Sequence, residues 1–372
     1  MRLNGAQITL HLLEQHGIRI VAGVPGGAIL PIYDALSQSR RIRHVLARHE
    51  QGAGFIAQGM ARTSGLPGVC LASSGPGATN LLTAVADARL DSIPLVVITG
   101  QVPRHMMGTD AFQEVDAYGL SIPITKHNFL VGTAHELLNV IPRAFAIATE
   151  GRPGPVWIDI PKCVQNQFIE IDCWPQPLPR HSPGAPLDEA LARAAALINQ
   201  AQRPVLYLGG GVVYSRGAAD LAKTLAEKAS LPTTMTLMAL GALPSDHPLS
   251  LGMLGMHAAR CTNLILDECD LLIAAGARFD DRATGEPSGF CVDAKVVHID
   301  IDPSELNKIR TAEVGIAADL ARTLNSLLAL VDQQPRARWH ARVAELRHRF
   351  PLVMPAADDP RSHYGLIRAV AR

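Results

Sequence analysis

The sequence predicts an α/β fold with two doubly wound parallel-sheet domains. Short β-rich runs alternate with stretches of helical spacing at intervals of about 20 residues, as in successive right-handed βαβ units. Glycine-rich turns follow the β-rich runs. Hydrophobic residues make up 48% of the chain and charged residues 18%, a composition typical of globular proteins with large buried sheets. The length of 372 residues is enough for two to three domains.

Composition and charge exclude several classes of function. The chain has 34 Lys and Arg and 34 Asp and Glu, so its formal charge is zero and nothing indicates a nucleic acid or an anionic membrane as partner. Polar residues interrupt the N-terminal stretch, which predicts neither a signal nor a transit peptide. No apolar run reaches the length of about 18 residues that spans a membrane. The six cysteines form no CxxC pair, which indicates reduced thiols in a cytoplasmic protein and no zinc site.

The first domain, residues 1–170, is predicted from alternating apolar spacings. Helical spacing of Ile8, Leu12 and Leu13 predicts the first helix, and each later strand is a short β-rich run that ends at a turn. In chain order we expect helix Ala6–His16, strand Ile18–Val24, helix Ala28–Leu36, strand Ile42–Leu46, helix Gln51–Arg62, strand Gly68–Ala72, helix Leu81–Ala88, strand Pro94–Thr99 and a last strand Val156–Ile160.

Ligands of such a sheet bind at the carboxyl ends of its strands. Three turns should therefore lie close together: Gly26-Gly27, the turn at Glu50, and Gly75–Asn80. Small residues follow Glu50, so a flat ligand could approach its carboxylate closely, although a solvated surface glutamate is the more ordinary interpretation of the position alone. The domain has no phosphate-binding loop, which favours an uncharged aromatic ring as ligand.

A proline-rich stretch, residues 171–187, is predicted to be an extended linker and a domain boundary. The second domain, residues 188–330, repeats the alternation. We expect helix Leu187–Asn199, strand Val205–Leu208, helix Ala218–Ala229, and strands Leu231–Leu237, Leu271–Ala275 and Lys295–Ile301. Residues 331–372 are charged and helical in pattern.

Three strand-end turns of the second domain favour a nucleotide cofactor. The turn Gly209–Gly211 could hold a pyrophosphate on backbone N–H groups, but Tyr214 breaks the GxGxxG fingerprint and a simple tight turn is equally compatible. Asp300 could accept hydrogen bonds from ribose hydroxyls. Arg278 and Arg282 suit a phosphate or a flat ring, unless they form salt bridges with the neighbouring aspartates.

Six motifs together resemble the acetolactate synthase catalytic (large) subunit family, thiamine-diphosphate enzymes at the entry to branched-chain amino-acid synthesis. They are Val24–Ala28, Arg48–Gly52, Ser74–Asn80, Gly108–Glu114, Gly151–Pro155 and Gly276–Arg282. The resemblance runs from about residue 3 to the end of the chain.

The resemblance implies three domains, of which this chain matches the N-terminal pyrimidine-binding domain and the central FAD domain. The third would bind the diphosphate through Mg²⁺; its GDG signature does not occur here, so we expect no metal ligand in the chain. The resemblance further implies 2-keto acids as substrates, a homodimer or higher homo-oligomer, a small regulatory subunit and a cytoplasmic location. The chain alone is expected to be inactive.

The resemblance also assigns residues to sites. Glu50 matches the catalytic glutamate that hydrogen-bonds N1′ of the thiamine aminopyrimidine, with Gly26 and Gly27 beside the ring. The substrate channel is implied at Phe112, Gln113 and Lys162. The FAD, a structural relic without net redox in this family, is implied at Arg152, Gly209, Gly210, Gly211, Thr236, Leu237, Leu254, Gly255, Met256, His257, Gly276, Arg278, Asp280, Arg282, Asp300, Ile301 and Asp319.

Two alternatives remain at this point. One is a non-catalytic FAD-binding or assembly fragment. The other is a different thiamine-diphosphate enzyme such as a pyruvate oxidase, against which the segment Gly108–Glu114 argues. A glyoxylate carboligase would lack the glutamate, so Glu50 argues against that enzyme.

Overall fold

The computed structural model describes residues 1–178 and 184–371 and confirms the predicted α/β class. The chain divides into two compact units, Met1–Ser182 and Pro183–Arg372. Each unit contains one six-stranded, all-parallel sheet. The domain boundaries given above stay predictions; part of the predicted linker, residues 179–183, lies outside the described residues, as does Arg372.

The sheet of the first unit has the order β3-β2-β4-β5-β7-β6, and β1 and β8 form a separate antiparallel pair. The strands are β1 (Arg2–Asn4), β2 (Ile20–Gly23), β3 (Arg43–Leu46), β4 (Gly68–Ala72), β5 (Leu95–Gln101), β6 (His127–Leu130), β7 (Pro155–Pro161) and β8 (Phe168–Glu170). The helices are α1 (Gly5–Gln15), α2 (Leu30–Gln38), α3 (Glu50–Ser64), α4 (Pro76–Leu90), α5 (Ala117–Ser121), α6 (Leu137–Thr149) and α7 (Lys162–Asn166).

Local sequence explains several of these boundaries. Asn4 and Gln7 form a reciprocal capping box at the start of α1. Gly65, in the left-handed conformation, ends α3. Helix α4 begins at Pro76, five residues before the predicted start, because proline at the first helical position has no N–H to leave unpaired.

Among the helices and strands of the first unit, β1, α5, β6, α6, α7 and β8 were not predicted. Strand β6 has only four residues and lies at the sheet edge, outside β7, so it carries no continuous apolar run. Helix α6 contains Pro142, a residue that normally interrupts helices. Strand β7 is the last strand of this sheet in chain order, as expected, but β6 is its outer neighbour.

The sheet of the second unit has the order β11-β10-β9-β12-β13-β14. Its strands are β9 (Pro204–Leu208), β10 (Thr233–Met235), β11 (Ser250–Met253), β12 (Leu271–Ala275), β13 (Lys295–Asp300) and β14 (Val314–Ala317). The helices are α8 (Asp188–Gln200), α9 (Gly211–Tyr214), α10 (Ala218–Lys228), α11 (Arg260–Glu268), α12 (Asp281–Thr284), α13 (Leu320–Leu330), α14 (Ala337–Arg349) and α15 (His363–Val370). The sequence did not predict β11, β14 or α11, and β10 is shorter than the predicted Leu231–Leu237.

Buried apolar residues cover both faces of the second sheet. One cluster packs α8, α10 and α13 against one face. On the other face, Trp339, Val343 and Leu346 of α14 pack with Val205 and Tyr207 of β9. Burial on both faces explains why the central strands have continuous apolar sequences. Among the described residues, no helix has both the length and the apolar character needed to cross a membrane.

Candidate functional site

The carboxyl edge of the first sheet gathers the three predicted turns. Strands β3, β2 and β4 are neighbours, and all three are parallel, so the turns that follow them lie at one edge. Glu50 is the first residue of α3, directly after β3 and its turn. The side chain of His49 caps this helix by accepting a hydrogen bond from Gln51 N at 3.1 Å. The cap fixes the helix start, and so the base of the glutamate side chain.

The two carboxylate oxygens of Glu50 have different surroundings. Asn80 Nδ2, on α4, donates to Glu50 Oε2 at 2.9 Å. No described residue makes a hydrogen bond with Oε1, and the side chain is half-buried. At Gly77, a Cβ atom would lie 3.6 Å from Oε1. One oxygen is therefore held by the protein, and the other is available to a ligand.

The Gly26-Gly27 turn contains one packed glycine and one open glycine. A Cβ at Gly26 would lie 2.5 Å from the Cβ of Ser73, whose Oγ accepts a hydrogen bond from Ala28 N at 3.2 Å. A Cβ at Gly27 would meet no atom within 4 Å. Gly26 is thus required by packing between two turns, whereas Gly27 leaves open space.

Sequence reasoning missed two polar side chains near Glu50. Asn80 belongs to a recognised motif, but no sequence spacing pairs it with Glu50. Tyr33, on α2, has a buried hydroxyl that makes no hydrogen bond with any described residue. Burial, with smaller contributions from Cys70 and Glu50, raises its pKa above the usual value, so the hydroxyl is a neutral donor. A buried hydroxyl without a partner is costly in an unliganded protein.

The segment Gly108–Glu114 is held by its own last residue. The Glu114 carboxylate accepts hydrogen bonds from the backbone N–H groups of Gly108 and of Ala111, the latter at 3.1 Å. These contacts, Gly108 first, lower the pKa of Glu114. The backbone of Gln113, with a φ of 60°, occupies the space where a Cβ of Gly75 would lie. The structure therefore places Gln113 beside the turn that begins α4.

The other two predicted channel residues lie at the same edge without fixed contacts. Phe112 is 86% exposed. Lys162 begins α7 directly after β7 and is half-buried, and no described residue makes a hydrogen bond with its side chain.

In the second unit, three of the predicted FAD glycines are explained by packing. A Cβ at Gly209 would clash with the Gly276 carbonyl oxygen, and one at Gly211 would lie 2.7 Å from the Gly276 Cα. Gly211 N donates to Gly276 O at 3.0 Å. The turns after β9 and β12 therefore pack backbone against backbone, and this contact alone requires glycine.

Two of the predicted FAD aspartates are helix caps. Asp280 accepts hydrogen bonds from Arg282 N and Ala283 N at the start of α12. Asp319 caps α13 and also accepts a hydrogen bond from Ser215 Oγ at 2.8 Å. These contacts explain why an aspartate occurs at each of the two positions, and the explanation does not require a bound ligand.

Other side chains of the second unit fit a polar ligand. Thr236 Oγ1 is buried and has no hydrogen-bond partner among residues 1–178 and 184–371. The half-buried Arg278 side chain forms no hydrogen bond or ion pair within the described part of the chain. A cavity of about 370 Å³ is lined by residues that include Gly255 and Met256. The Thr236 hydroxyl and the Arg278 guanidinium are groups that a phosphorylated cofactor such as FAD would use, although neither residue lines this cavity.

The remaining FAD candidates divide between accessible and occupied groups. Leu237 and Met256 are 67% and 61% exposed, Leu254 is buried, and Asp300 accepts a hydrogen bond from Asp302 N at 2.9 Å. Arg152 lies in the first unit, where its Nε donates to Ser92 Oγ at 2.8 Å. Of the other candidates in the second unit, Gly210 and Ile301 lie on turns after strands, His257 ends a short 3-10 helix and Arg282 lies in α12. No group of three or more candidate metal ligands occurs among the described residues.

Comparison with known families identifies both units. Residues 3–120 match the family model for the thiamine pyrophosphate enzyme N-terminal TPP binding domain, and residues 191–327 match the model for the central domain. Together the two matches cover more than half of the chain. The chain belongs to the thiamine pyrophosphate enzymes. The candidate thiamine edge around Glu50 lies within the first match, and the Gly209 and Gly276 turns lie within the second.

Within the thiamine pyrophosphate enzymes, the chain is similar to acetolactate synthase large subunits. It is 63% identical over 370 residues to the acetolactate synthase isozyme 1 large subunit of Escherichia coli strain K12, a match that covers all of this chain and 65% of the relative. It is 48% identical to the acetolactate synthase large subunit of Parasynechococcus marenigrum, with 96% of this chain and 59% of the relative covered. A probable acetolactate synthase large subunit of Methanocaldococcus jannaschii is 46% identical, with 96% and 62% covered. The chain thus spans about three-fifths of the length of the curated relatives it matches.

Proposed function

We propose that the chain forms the thiamine-ring part and the flavin part of an acetolactate synthase large subunit. The reaction would condense pyruvate with a second 2-keto acid and release carbon dioxide. The observation that carries this proposal is the 63% identity along the whole chain to an acetolactate synthase large subunit. The half-buried Glu50 carboxylate, with one oxygen available at the sheet edge, supplies the chemistry.

The residues around Glu50 fit an aminopyrimidine ring. Asn80 occupies Oε2 and fixes the carboxyl plane, which leaves Oε1 to share a proton with a ring nitrogen. The open space at Gly27 allows a flat ring to approach the backbone. When bound, thiamine diphosphate supplies the nucleophilic carbon and the electron sink for the loss of carbon dioxide. The contribution of the protein here is to hold that proton and to orient the ring.

The second unit fits FAD in a structural role. Thr236 and Arg278 offer a hydroxyl donor and a cation that form no hydrogen bond or ion pair with any other described residue. We propose that Arg278 binds the cofactor phosphate or stacks on its ring, and that the flavin takes no part in net redox. Mg²⁺ would be bound by residues outside this chain.

We further propose that the chain works as part of a larger assembly. The likeness to proteins named as large subunits supports a small regulatory subunit as partner, and a homodimer or higher homo-oligomer is part of the same proposal. A cytoplasmic location suits a biosynthetic enzyme of this kind. The diphosphate end of the cofactor carries most of its charge, so its metal contact should dominate the binding free energy. Residues 1–372 alone should therefore be inactive.

The test compares the chain with a chimera that adds the remaining length of the Escherichia coli relative. Both proteins are purified from a host without its own enzyme and are supplied with Mg²⁺, thiamine diphosphate, FAD and pyruvate. Acetolactate is measured as acetoin after acid decarboxylation. We expect product from the chimera and none from the chain alone. A folded chimera without product would contradict the proposed function, and turnover by the chain alone would contradict the proposed division of the cofactor site.

A further inference from the structure

A buried carboxylate lies at the carboxyl end of β7, and none of the chemistry above uses it. Asp159 is 1% exposed. It accepts hydrogen bonds from Thr99 Oγ1 at 2.7 Å and from Gln101 Nε2 at 2.9 Å. Trp157 Nε1 donates to Thr99 Oγ1 at 2.8 Å, so the hydroxyl hydrogen points at Asp159. Burial raises the pKa of Asp159 to about 7, while its two donors act in the opposite direction.

The Gln101 side chain has only one orientation that satisfies all its partners. Its Oε1 accepts a hydrogen bond from Val102 N at 2.9 Å. Its Nε2 donates to Asp159 Oδ2 and to the Val115 carbonyl oxygen, the latter at 2.8 Å. An acceptor at residue 159 is therefore needed to keep the amide hydrogens directed at Val115. Asparagine at residue 159 would place a donor against a donor.

Val115 directly follows the segment Gly108–Glu114, so its carbonyl group lies at the end of that segment. Besides Gln101, this carbonyl accepts a hydrogen bond from Ala117 N at 2.9 Å, so both lone pairs are used. At the other end of the segment, the backbone N–H of Gly108 donates a hydrogen bond to the Glu114 carboxylate. Since the Gln113 backbone packs against Gly75, the position of Val115 sets how closely the segment lies against that turn.

We propose that Asp159 and Gln101 are positioning residues for this segment. Asp159 orients the Gln101 amide, and the amide anchors Val115, so that the segment Gly108–Glu114 forms a fixed wall beside the Gly75 turn. The role of this wall in substrate binding rests on the proposed function. The anchoring itself does not.

The decisive variant exchanges the two polar groups. In Asp159→Asn/Gln101→Glu, the asparagine donates to the glutamate, the Thr99 and Val102 contacts are kept, and one carboxylate stays in the core. The change falls on Val115 O, which loses the Gln101 donor and faces a carboxylate oxygen instead, so that this contact becomes repulsive. Hydrogen–deuterium exchange on the 372-residue chain should accelerate by at least about tenfold at the amides of residues 108–117, because the loss of one hydrogen bond alone corresponds to about 1.4 kcal/mol. The Trp157 indole N–H resonance should stay at its wild-type position.

A second variant provides the test if Asp159→Asn/Gln101→Glu does not fold. Gln101→Met keeps the side-chain length but removes the donor to Val115 O, and it should accelerate the same amides. Unchanged exchange at residues 108–117 in either folded variant would overturn the proposal. Acceleration spread evenly over the whole first unit would also overturn it, because a general loss of stability explains that result.

Kinetics of the chimera then test the consequence for the site. If it folds, Asp159→Asn/Gln101→Glu should raise KM for pyruvate about tenfold with little change in kcat, since the segment Gly108–Glu114 binds substrate and Glu50 is unchanged. A loss in kcat at unchanged KM would contradict the assigned role. An inactive wild-type chimera would contradict the proposed function. Hydrogen–deuterium exchange on the 372-residue chain would still test whether Asp159 and Gln101 anchor Val115.

Discussion

The Gly26-Gly27 turn of the first sheet and the Gly209–Gly211 turn of the second both follow a buried strand, but they have different neighbours. At Gly27 a side chain would meet no atom within 4 Å, and Glu50 offers an unused carboxylate oxygen at the same sheet edge. At Gly209 and Gly211 the space is filled by the backbone of Gly276. A glycine turn after a strand therefore indicates close approach, but the approaching group can be a ligand or the protein itself.

The polar groups show a second difference between the units. At the sheet edge of the Gly26-Gly27 turn, Asn80 donates a hydrogen bond to one oxygen of the Glu50 carboxylate. The other oxygen stays available to hold a proton. In the second unit, Asp280 and Asp319 are used up as helix caps, and the available groups are Thr236 and Arg278. We therefore propose that the first unit serves proton transfer and that the second holds an anion.

The largest expected effect is that of Glu50→Gln in the chimera. Glutamine keeps the shape and the contact with Asn80 but cannot exchange a proton. The rate at which the thiazolium C2 proton of bound thiamine diphosphate exchanges for deuterium should fall by about 10²–10⁴-fold, the usual range for an acid–base group. NMR of the quenched reaction measures this rate. An unchanged rate would mean that Glu50 is only a structural residue. The proposed contrast between proton transfer in the first unit and anion binding in the second would then be wrong.

The next effect sharpens the contrast between the glycines. Gly209→Ala should destabilise the second unit by about 1–3 kcal/mol, the usual cost of overpacking, because its Cβ would clash with the Gly276 backbone. The matched control Gly27→Ala should leave the stability of the chain without cofactors nearly unchanged and should weaken thiamine diphosphate binding in the chimera. Denaturant unfolding and cofactor titration measure the two effects. Equal destabilisation by both substitutions would refute the contrast.

The smallest effect concerns the flavin. Arg278→Ala should weaken FAD binding by about 1–3 kcal/mol, as expected for the loss of a charge-assisted contact. Arg338→Ala is the control, since that side chain is exposed on α14 and is not among the flavin candidates. Flavin absorbance after gel filtration measures the bound fraction. A folded, colourless wild-type chain that ignores added FAD would contradict the role of the second unit.

Sequence patterns predicted the bounds of the buried strands β4 and β12 and missed the edge strands β6, β11 and β14. The bounds of β4 and β12 agree with the prediction, because both strands are buried on both faces and have continuous apolar runs. Strands β6, β11 and β14 have four residues each and are only partly buried, so their sequences mix apolar and polar residues. Short edge strands are stabilised by their neighbours and carry little pattern of their own.

The candidate site was predictable where strand ends carry a motif and unpredictable where side chains meet across elements. Glu50 follows a strand and precedes small residues, which the sequence shows directly. The contacts of Glu50 with Asn80 and of Asp159 with Gln101 join residues 30 and 58 positions apart. They depend on which helices and strands are neighbours, and the predicted element order did not contain that information.

The most direct test of the central claim is complementation between subunits. The chain is mixed with a full-length Escherichia coli relative in which the glutamate matching Glu50 is replaced by glutamine, and association is confirmed by native mass spectrometry. If Glu50 is the catalytic acid of a site shared between two subunits, the mixed species should form acetolactate from pyruvate. The same mixture with Glu50→Gln in the chain should form none. An associated mixture without product, or equal product with both chains, would contradict the account.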